Sequence, residues 1–415
     1  MKSATRGPAR RLLTLVGGLA VAALALSGCA SGPSEEVPVD DSPIVIGGTL
    51  GLTGAYATAS AAYQATYDYW ADQVNANGGL LGRQVEVKIY DDESNPQTAQ
   101  TLYQQLINED EVDLLIAPYA TAVGGAVVPI AQRAGKLLFN GGFFSKELHT
   151  KYPDTMVTGW PYQDIEASLP LFSYLKSLPA SERPKTAAIV TAQNPAFLAA
   201  RDGFEGEGGA LAYADELGID VVVNEEYDQT ASDYSALVDR VKQSGAELFI
   251  GLSAPNDAGL IATTAEQAGY APDFYCSCGS QVTTLPNWPG LGDAAVNVFA
   301  NSAAWPTQDN EGLADLTDHL FEELGISVLP SYAAVGYTAL QVLEQSVEGA
   351  KSLDDAELRA YIADHEFNTV VGDITYSEDG TVVFNGLLLQ YQKDGNEVIW
   401  PEHYATAEAI IPKRG

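Results

Sequence analysis

Short apolar runs alternate with longer segments whose apolar residues recur every three or four positions. "IVIGGTL" (44–50), "QVEVKIY" (84–90), "VDLLIA" (112–117) and "KLLFN" (136–140) are short and predict strands. Tyr63, Tyr67, Trp70 and Val74, spaced four, three and four apart, predict a helix stopped by "NANGG". A second helix is expected around Leu102 and Leu106, and a third before "KLLFN". The order βαβαβαβ implies a parallel sheet with right-handed crossovers. The pattern then restarts with "KTAAIVTA" (185–192), "IDVVVNEEY" (219–227), "AELFIGLS" (246–253) and "DFYCS" (273–277). Between the second and third of these, "SDYSALVDRVKQSG" offers Ser232 as an N-cap and Gly245 as a C-cap. Three helical stretches follow "AVNVFANSAAW", and the chain closes with strand-rich "GDITYSEDGTVVFNGLLLQYQKDGNEVIWP". The expected fold is α/β, with two doubly wound lobes. Ligands on such sheets bind beyond the carboxyl ends of the strands. A cleft would then be lined by "GLTGAYA", "APYATAVGG", "NGGFFS", "TAQNPAF", "LSAPND" and "YCSCGSQ".

The first 28 residues do not belong to this pattern. Lys2, Arg6, Arg10 and Arg11 precede the apolar run "LLTLVGGLAVAALAL", which reads as a secretion signal rather than a membrane span. It ends in "LSGCAS", which resembles a lipobox; cleavage would leave Cys29 as a lipid-bearing N-terminus. An ordinary signal peptide with an incidental cysteine is the other reading. Small, acidic "ASGPSEEVPVDDSP" then predicts a flexible tether over 29–42. No later segment approaches eighteen continuous apolar residues. The chain carries 21 basic and 55 acidic side chains, a net −34; without the basic leader the charge is −38. Such a surface repels phosphates and argues against nucleic acid as a partner.

Catalytic motifs are mostly missing. There is no GxSxG, no GxxxxGK[ST] and no HExxH, and the glycines of "GGTLGLTG" are spaced wrongly for a dinucleotide fingerprint. His149, His319, His365 and His403 are scattered. "YDDES" (90–94) groups three carboxylates, but without a histidine it reads as a solvated turn rather than a metal site. No metal and no cofactor are expected.

Several phrases together resemble the substrate-binding proteins of branched-chain amino acid-type ABC importers, the type I periplasmic binding proteins. These are "IVIGGTLGLTGAYA", "WADQVNANGGLLGRQVEVKIYDDESNPQTA", "VDLLIAPYATAVGGAVVPIAQRAGKLLFNGG", "AGYAPDFY" and "PSYAAVGYTAL", spread over residues 43 to 401. The resemblance implies two Rossmann-like lobes joined by three crossing hinge segments near 160–162, 300–302 and 372–373. Lobe 1 would be 43–160 plus 302–372, and lobe 2 would be 161–301 plus 373–412. It further implies a small-molecule receptor, monomeric, closing like a flytrap and serving permease subunits, with the membrane reached only through the lipid.

Carried over by resemblance, the ligand's carboxylate would meet Tyr119, Ala120 and Thr121 after the third strand, then Gly142, Phe143 and Phe144 after the fourth. Phe144 stands where amino-acid binders usually have Thr. Phe197 matches an aromatic wall of lobe 2, Ser253 a second wall position, and Trp160 lies at the first crossing. Cys278 falls where relatives carry the carboxylate that pairs a ligand ammonium. An ammonium taken from water without a partner costs several kcal/mol. A compound with a carboxylate or polar end and an aromatic or bulky body therefore fits Phe143, Phe144, Phe197 and Trp160 better than leucine does. Cys276 and Cys278 have too few companions for zinc and the wrong spacing for CxxC redox chemistry, while an oxidising compartment allows a disulfide between them. A ligand sensor on the same fold remains an alternative reading. A secreted thiol enzyme at Cys278 is a lesser one, since no histidine falls in the cleft loops.

Overall fold

In the computed structural model, which describes residues 42–229, 231–383 and 386–411, the short apolar runs become strands of two sheets. The expected leader, Cys29 and nearly all of the tether lie outside the described residues. The first sheet comprises β1 (Ile44–Leu50), β2 (Val85–Asp91), β3 (Leu114–Ile116), β4 (Leu138–Asn140) and β5 (Met156–Thr158). Its order is β2-β1-β3-β4-β5, all parallel. The linking helices are α1 (Ala57–Ala76), α2 (Pro96–Asn108), α3 (Thr121–Ala134) and α4 (Lys146–Lys151). β5 has no counterpart among the expected strands.

The second unit runs α5 (Leu169–Ser177), β6 (Thr186–Ala192), α6 (Pro195–Asp202), α7 (Ala210–Glu216), β7 (Asp220–Tyr227) and α8 (Ser235–Ser244). It continues with β8 (Leu248–Leu252), α9 (Pro255–Gln267), β9 (Phe274–Ser277) and β10 (Val298–Ser302). The chain then returns to the first sheet as α10 (Leu313–Leu324), α11 (Ser331–Ala350), α12 (Asp355–Ala363) and the hairpin β11 (Phe367–Thr369)–β12 (Gly372–Ile374). Finally β13 (Leu387–Gln392) and β14 (Gly395–Trp400) extend the second sheet antiparallel, giving β14-β13-β10-β9-β8-β6-β7.

Two boundaries differ from expectation. Helix α8 starts at Ser235 rather than after Ser232: buried Tyr234 packs edge-on against Tyr227, and Asp233 caps the Ser235 N–H at 2.8 Å. Gly245 ends the helix in the left-handed conformation, as expected. The third crossing is also displaced. The Tyr376 hydroxyl donates to the Thr158 carbonyl at 2.8 Å, the Thr158 N–H to Gly380 at 3.1 Å, and Arg359 to Met156 and Glu378. Residues 373–383 therefore stay with the first sheet, past the expected crossing at 372–373, and Leu387 onward pairs in the second.

The four residues read as one helical face, Tyr63, Tyr67, Trp70 and Val74, are all buried and pack with α11 in one core. Gly336 on α11 makes this packing close, because a Cβ there would meet Tyr63 at 2.7 Å. Tyr63 in turn donates to the Gly141 carbonyl at 2.7 Å, coupling this core to the β4 loop. We expect Gly336→Val to cost about 1–3 kcal/mol by overpacking, read as a lowered urea midpoint. An unchanged midpoint would show that the two helices have room to spare.

His149, on α4, is fully buried, with Nδ1 3.1 Å from the Asp379 carbonyl, and burial pushes its pKa down to about 4. The unfolded chain titrates near 6.5, so it binds a proton that the native state refuses between these values. This contribution to stability is present above pH 6.5 and is lost as pH falls towards 4. Asp164, pushed up to about 6 by burial, acts with the opposite sign in the same window. Comparison with His149→Gln removes that shared background. From pH 7 to pH 4 the wild type should lose roughly 3 kcal/mol more than the variant in denaturant unfolding; parallel losses would contradict the assignment.

Candidate functional site

In both sheets the winding reverses between the first strand and the third, that is, at β1/β3 and at β6/β8. The loops leaving the carboxyl ends at these points are where a doubly wound sheet offers a crevice. At the first, Ala120 precedes α3 with φ +75°, unusual for a residue with a Cβ. It is held there by its N–H to Gly142 (3.1 Å), while its carbonyl accepts from the N–H groups of Val123 and Gly124 (3.0 and 2.9 Å). The N–H groups of Thr121 and Ala122 open the helix and have no intrahelical acceptor, which suits an anion. The Thr121 hydroxyl lies 3.4 Å from the Phe144 carbonyl.

The loop after β4 behaves differently from expectation. A Cβ at Gly142 would sit 2.1 Å from the Pro118 carbonyl oxygen, so glycine is what lets the two loops touch. The N–H groups of Gly142 and Phe143 both donate to Asn140 Oδ1 at 3.1 Å, and Asn140 Nδ2 donates to the Phe143 carbonyl at 2.8 Å. Those two amides are engaged. The Phe143 ring points into the core over Gly124 and does not face the crevice. Phe144 is only part-buried and packs on Trp160 at 4.8 Å between ring centroids.

Tyr119 joins Tyr56 (5.5 Å), Tyr63 (5.3 Å) and Tyr332 (6.4 Å) in an aromatic group; burial pushes its pKa up to about 12, keeping the phenol neutral. Trp160 also packs on Tyr162 at 5.9 Å, and both are buried. The Tyr162 oxygen accepts from Gln281 Nε2 at 2.6 Å and from Asn301 Nδ2 at 3.2 Å. No motif in the sequence marks Tyr162, Gln281, Asn301 or Asn140. The available signal was polar residues ending apolar strands, as in "KLLFN" and "VFANS".

In the second unit Phe197 lies on α6, part-buried between the two core clusters of its sheet, with no ring contact to Phe144 or Trp160. Ser253 is buried at the end of β8, its carbonyl accepting from the Ser280 hydroxyl at 2.5 Å. Cys278 is the main correction. It forms a disulfide with Cys276, and both sulfurs sit in the core with Phe274, Phe299 and Leu388. Its N–H donates to the Gly251 carbonyl at 3.0 Å, continuing the β9 ladder. Cys278 is neither a free thiol nor a group facing the crevice. The "DDES" carboxylates hold the β1–α1 loop: Asp92 accepts from the Thr49 hydroxyl (2.7 Å) and Asp91 from the Thr53 hydroxyl (2.8 Å).

The periplasmic binding protein family profile matches residues 43–396. The chain belongs to that family. The Leu/Ile/Val-binding protein BraC3 of Rhizobium johnstonii is 24% identical over 374 residues, covering 88% of this binding protein and 95% of the relative. The isoleucine-bound LivJ substrate-binding protein of Streptococcus pneumoniae has TM-score 0.71 at 19% identity, covering 86% of this chain and 100% of its own. A solute-binding protein of Rhodopseudomonas palustris in complex with 3,4-dihydroxybenzoic acid has TM-score 0.71 at 17% identity, covering 90% and 99%. The two-lobed α/β fold of the binding protein is therefore that of the type I family.

The disulfide gives a direct chemical test. Unfolded in denaturant without reductant, the binding protein should release no thiol from positions 276 and 278, and two after reduction. Two thiols before reduction would refute the pairing.

Proposed function

We propose that this binding protein is an extracytoplasmic solute receptor that captures a small molecule between its lobes and delivers it to the membrane subunits of an ABC importer. Lipid on Cys29 would hold it as a monomer at the outer face of the cell membrane, with no cofactor. Family membership supports capture, and the similarity to importer-type receptors such as LivJ supports delivery. Hinge closure around the ligand would give the permease a form to recognise.

The ligand we favour is an amino-acid-like, amide or aromatic carboxylate compound rather than leucine. What supports this is the N-terminus of α3, suited to an anion, beside the aromatic surface of Phe144 and Trp160, while disulfide-bonded Cys278 supplies no charge for an ammonium. The α3 N-terminus supplies two amides and the Thr121 hydroxyl for a carboxylate, and Tyr119, Phe144 and Trp160 supply flat apolar surface. The benzoate-type ligand of the Rhodopseudomonas palustris structure has the same division into anionic end and ring. A sensor role on the same fold is the competing reading. Loss of solute uptake on gene deletion supports the importer; intact uptake with a lost regulatory response supports the sensor.

Calorimetric titration should show binding of an aromatic carboxylate such as benzoate or 4-hydroxybenzoate, with leucine bound far more weakly. Thr121→Ala should weaken the carboxylate ligand about tenfold, the worth of one hydrogen bond to a charged group. Tight leucine binding with no response to aromatic acids would contradict the assignment.

A further inference from the structure

The phenol of Tyr162 is fully buried and accepts two amide donors, Gln281 Nε2 and Asn301 Nδ2. Each amide thereby spends its nitrogen on the phenol and leaves its oxygen. Gln281 Oε1 and Asn301 Oδ1 have no hydrogen-bond partner among the described residues, although the side chains are only 4% and 2% exposed. Tyr162 has one hydrogen to give, so it can satisfy at most one of the two oxygens whichever way the amides are turned. The Trp160 Nε1–H, on the neighbouring ring, is likewise buried and without a partner. Native proteins pair nearly all buried polar groups, and each orphan costs about 1–3 kcal/mol. Gln281 is moreover held at φ +52°, a conformation that favours glycine, with its carbonyl accepting from the Thr284 N–H and hydroxyl. Three unmet groups are thus gathered around the Tyr162 ring.

The groups come from three segments: the first crossing (Trp160), the loop after β9 (Gln281) and the end of β10 (Asn301). They lie at one end of a continuous series of contacts. Thr121 touches Phe144, Phe144 packs tilted on Trp160, Trp160 packs on Tyr162, and Tyr162 holds both amides. The anion-binding end and the amide end are thus separated by aromatic surface. The amide end has no charge of its own: burial drives the Tyr162 pKa far above its ordinary value, and both acceptors are neutral.

We propose that Gln281 and Asn301, with Trp160 beside them, form a subsite that reads hydrogen-bond donors at the end of the ligand remote from its carboxylate. The group it selects is a ring hydroxyl or a primary amide. An alkyl end would leave both oxygens unmet, and an ammonium would be desolvated without a counter-charge. This inference rests on the solute-receptor reading above and assigns the chemistry of its specificity.

The test is calorimetric titration of the full mature protein with benzoate, 4-hydroxybenzoate, 4-carbamoylbenzoate and 4-methylbenzoate. The wild type should bind the hydroxyl or carbamoyl compound at least about tenfold tighter than benzoate and 4-methylbenzoate. Gln281→Leu and Asn301→Leu should each shrink that preference, lowering affinity for the hydroxyl and carbamoyl compounds more than for benzoate. Trp160→Phe keeps an aromatic ring but loses the indole N–H together with part of the ring surface, so it serves if a leucine variant fails to fold; it should lower affinity for the hydroxyl and carbamoyl compounds more than for 4-methylbenzoate. Equal binding of all four compounds, or a preference that survives the substitutions, would overturn the subsite while leaving the receptor for aromatic acids intact. No binding of any of the four would overturn both.

Discussion

A single buried phenol, that of Tyr162, joins the first crossing segment to the β9 loop and to the end of β10. Much of what the crevice can do depends on this bond. It holds Gln281 and Asn301 by their nitrogens, while their oxygens have no partner among the described residues. Trp160, edge-on to Tyr162, and Phe144, tilted against Trp160, lead back to the N-terminus of α3. Because burial keeps the phenol neutral, the arrangement is built from hydrogen bonds and rings rather than from ion pairs.

Charge is instead concentrated behind these rings. Lys146 bonds Asp379 at 2.7 Å, tying α4 to the segment that follows β12, and its N–H bonds Asp164 Oδ1 at 3.0 Å. Burial alone would raise the Asp379 pKa, but bonds from Lys146 and Thr381 hold it at about 2, so this pair persists to acid pH. Gln163, Glu166, Lys146 and Thr381 line a cavity of about 190 Å³ there. Titration of this region therefore bears on how the crossings are held.

Much of the fold was legible because parallel strands buried on both faces are written as short apolar runs between amphipathic helices. The two strand blocks, the long helix bearing Trp70 and the paired lobes follow from that alone. The third crossing was misplaced because "GDITY" reads as a strand equally well against either sheet; only the bonds of Tyr376 and Arg359 decide which. Cys278 was misread for a reason of parity. Side chains alternate along a strand, so Phe274, Cys276 and Cys278 share one face and enter one core, while Tyr275 enters the other. Counting positions past the strand located the residue but not the direction of its side chain. Gly142 and Phe143 failed as amide donors for a third reason, since capture of both N–H groups by Asn140 is a side-chain event that no spacing rule contains.

The most direct measurement is a crystal structure of the binding protein with 4-hydroxybenzoate. The account predicts the carboxylate within hydrogen-bond reach of the Thr121 and Ala122 N–H groups, the ring beside Phe144 and Trp160, and the hydroxyl on Gln281 Oε1 or Asn301 Oδ1. A ligand bound in the reverse direction, or held outside the interlobe crevice, would contradict it.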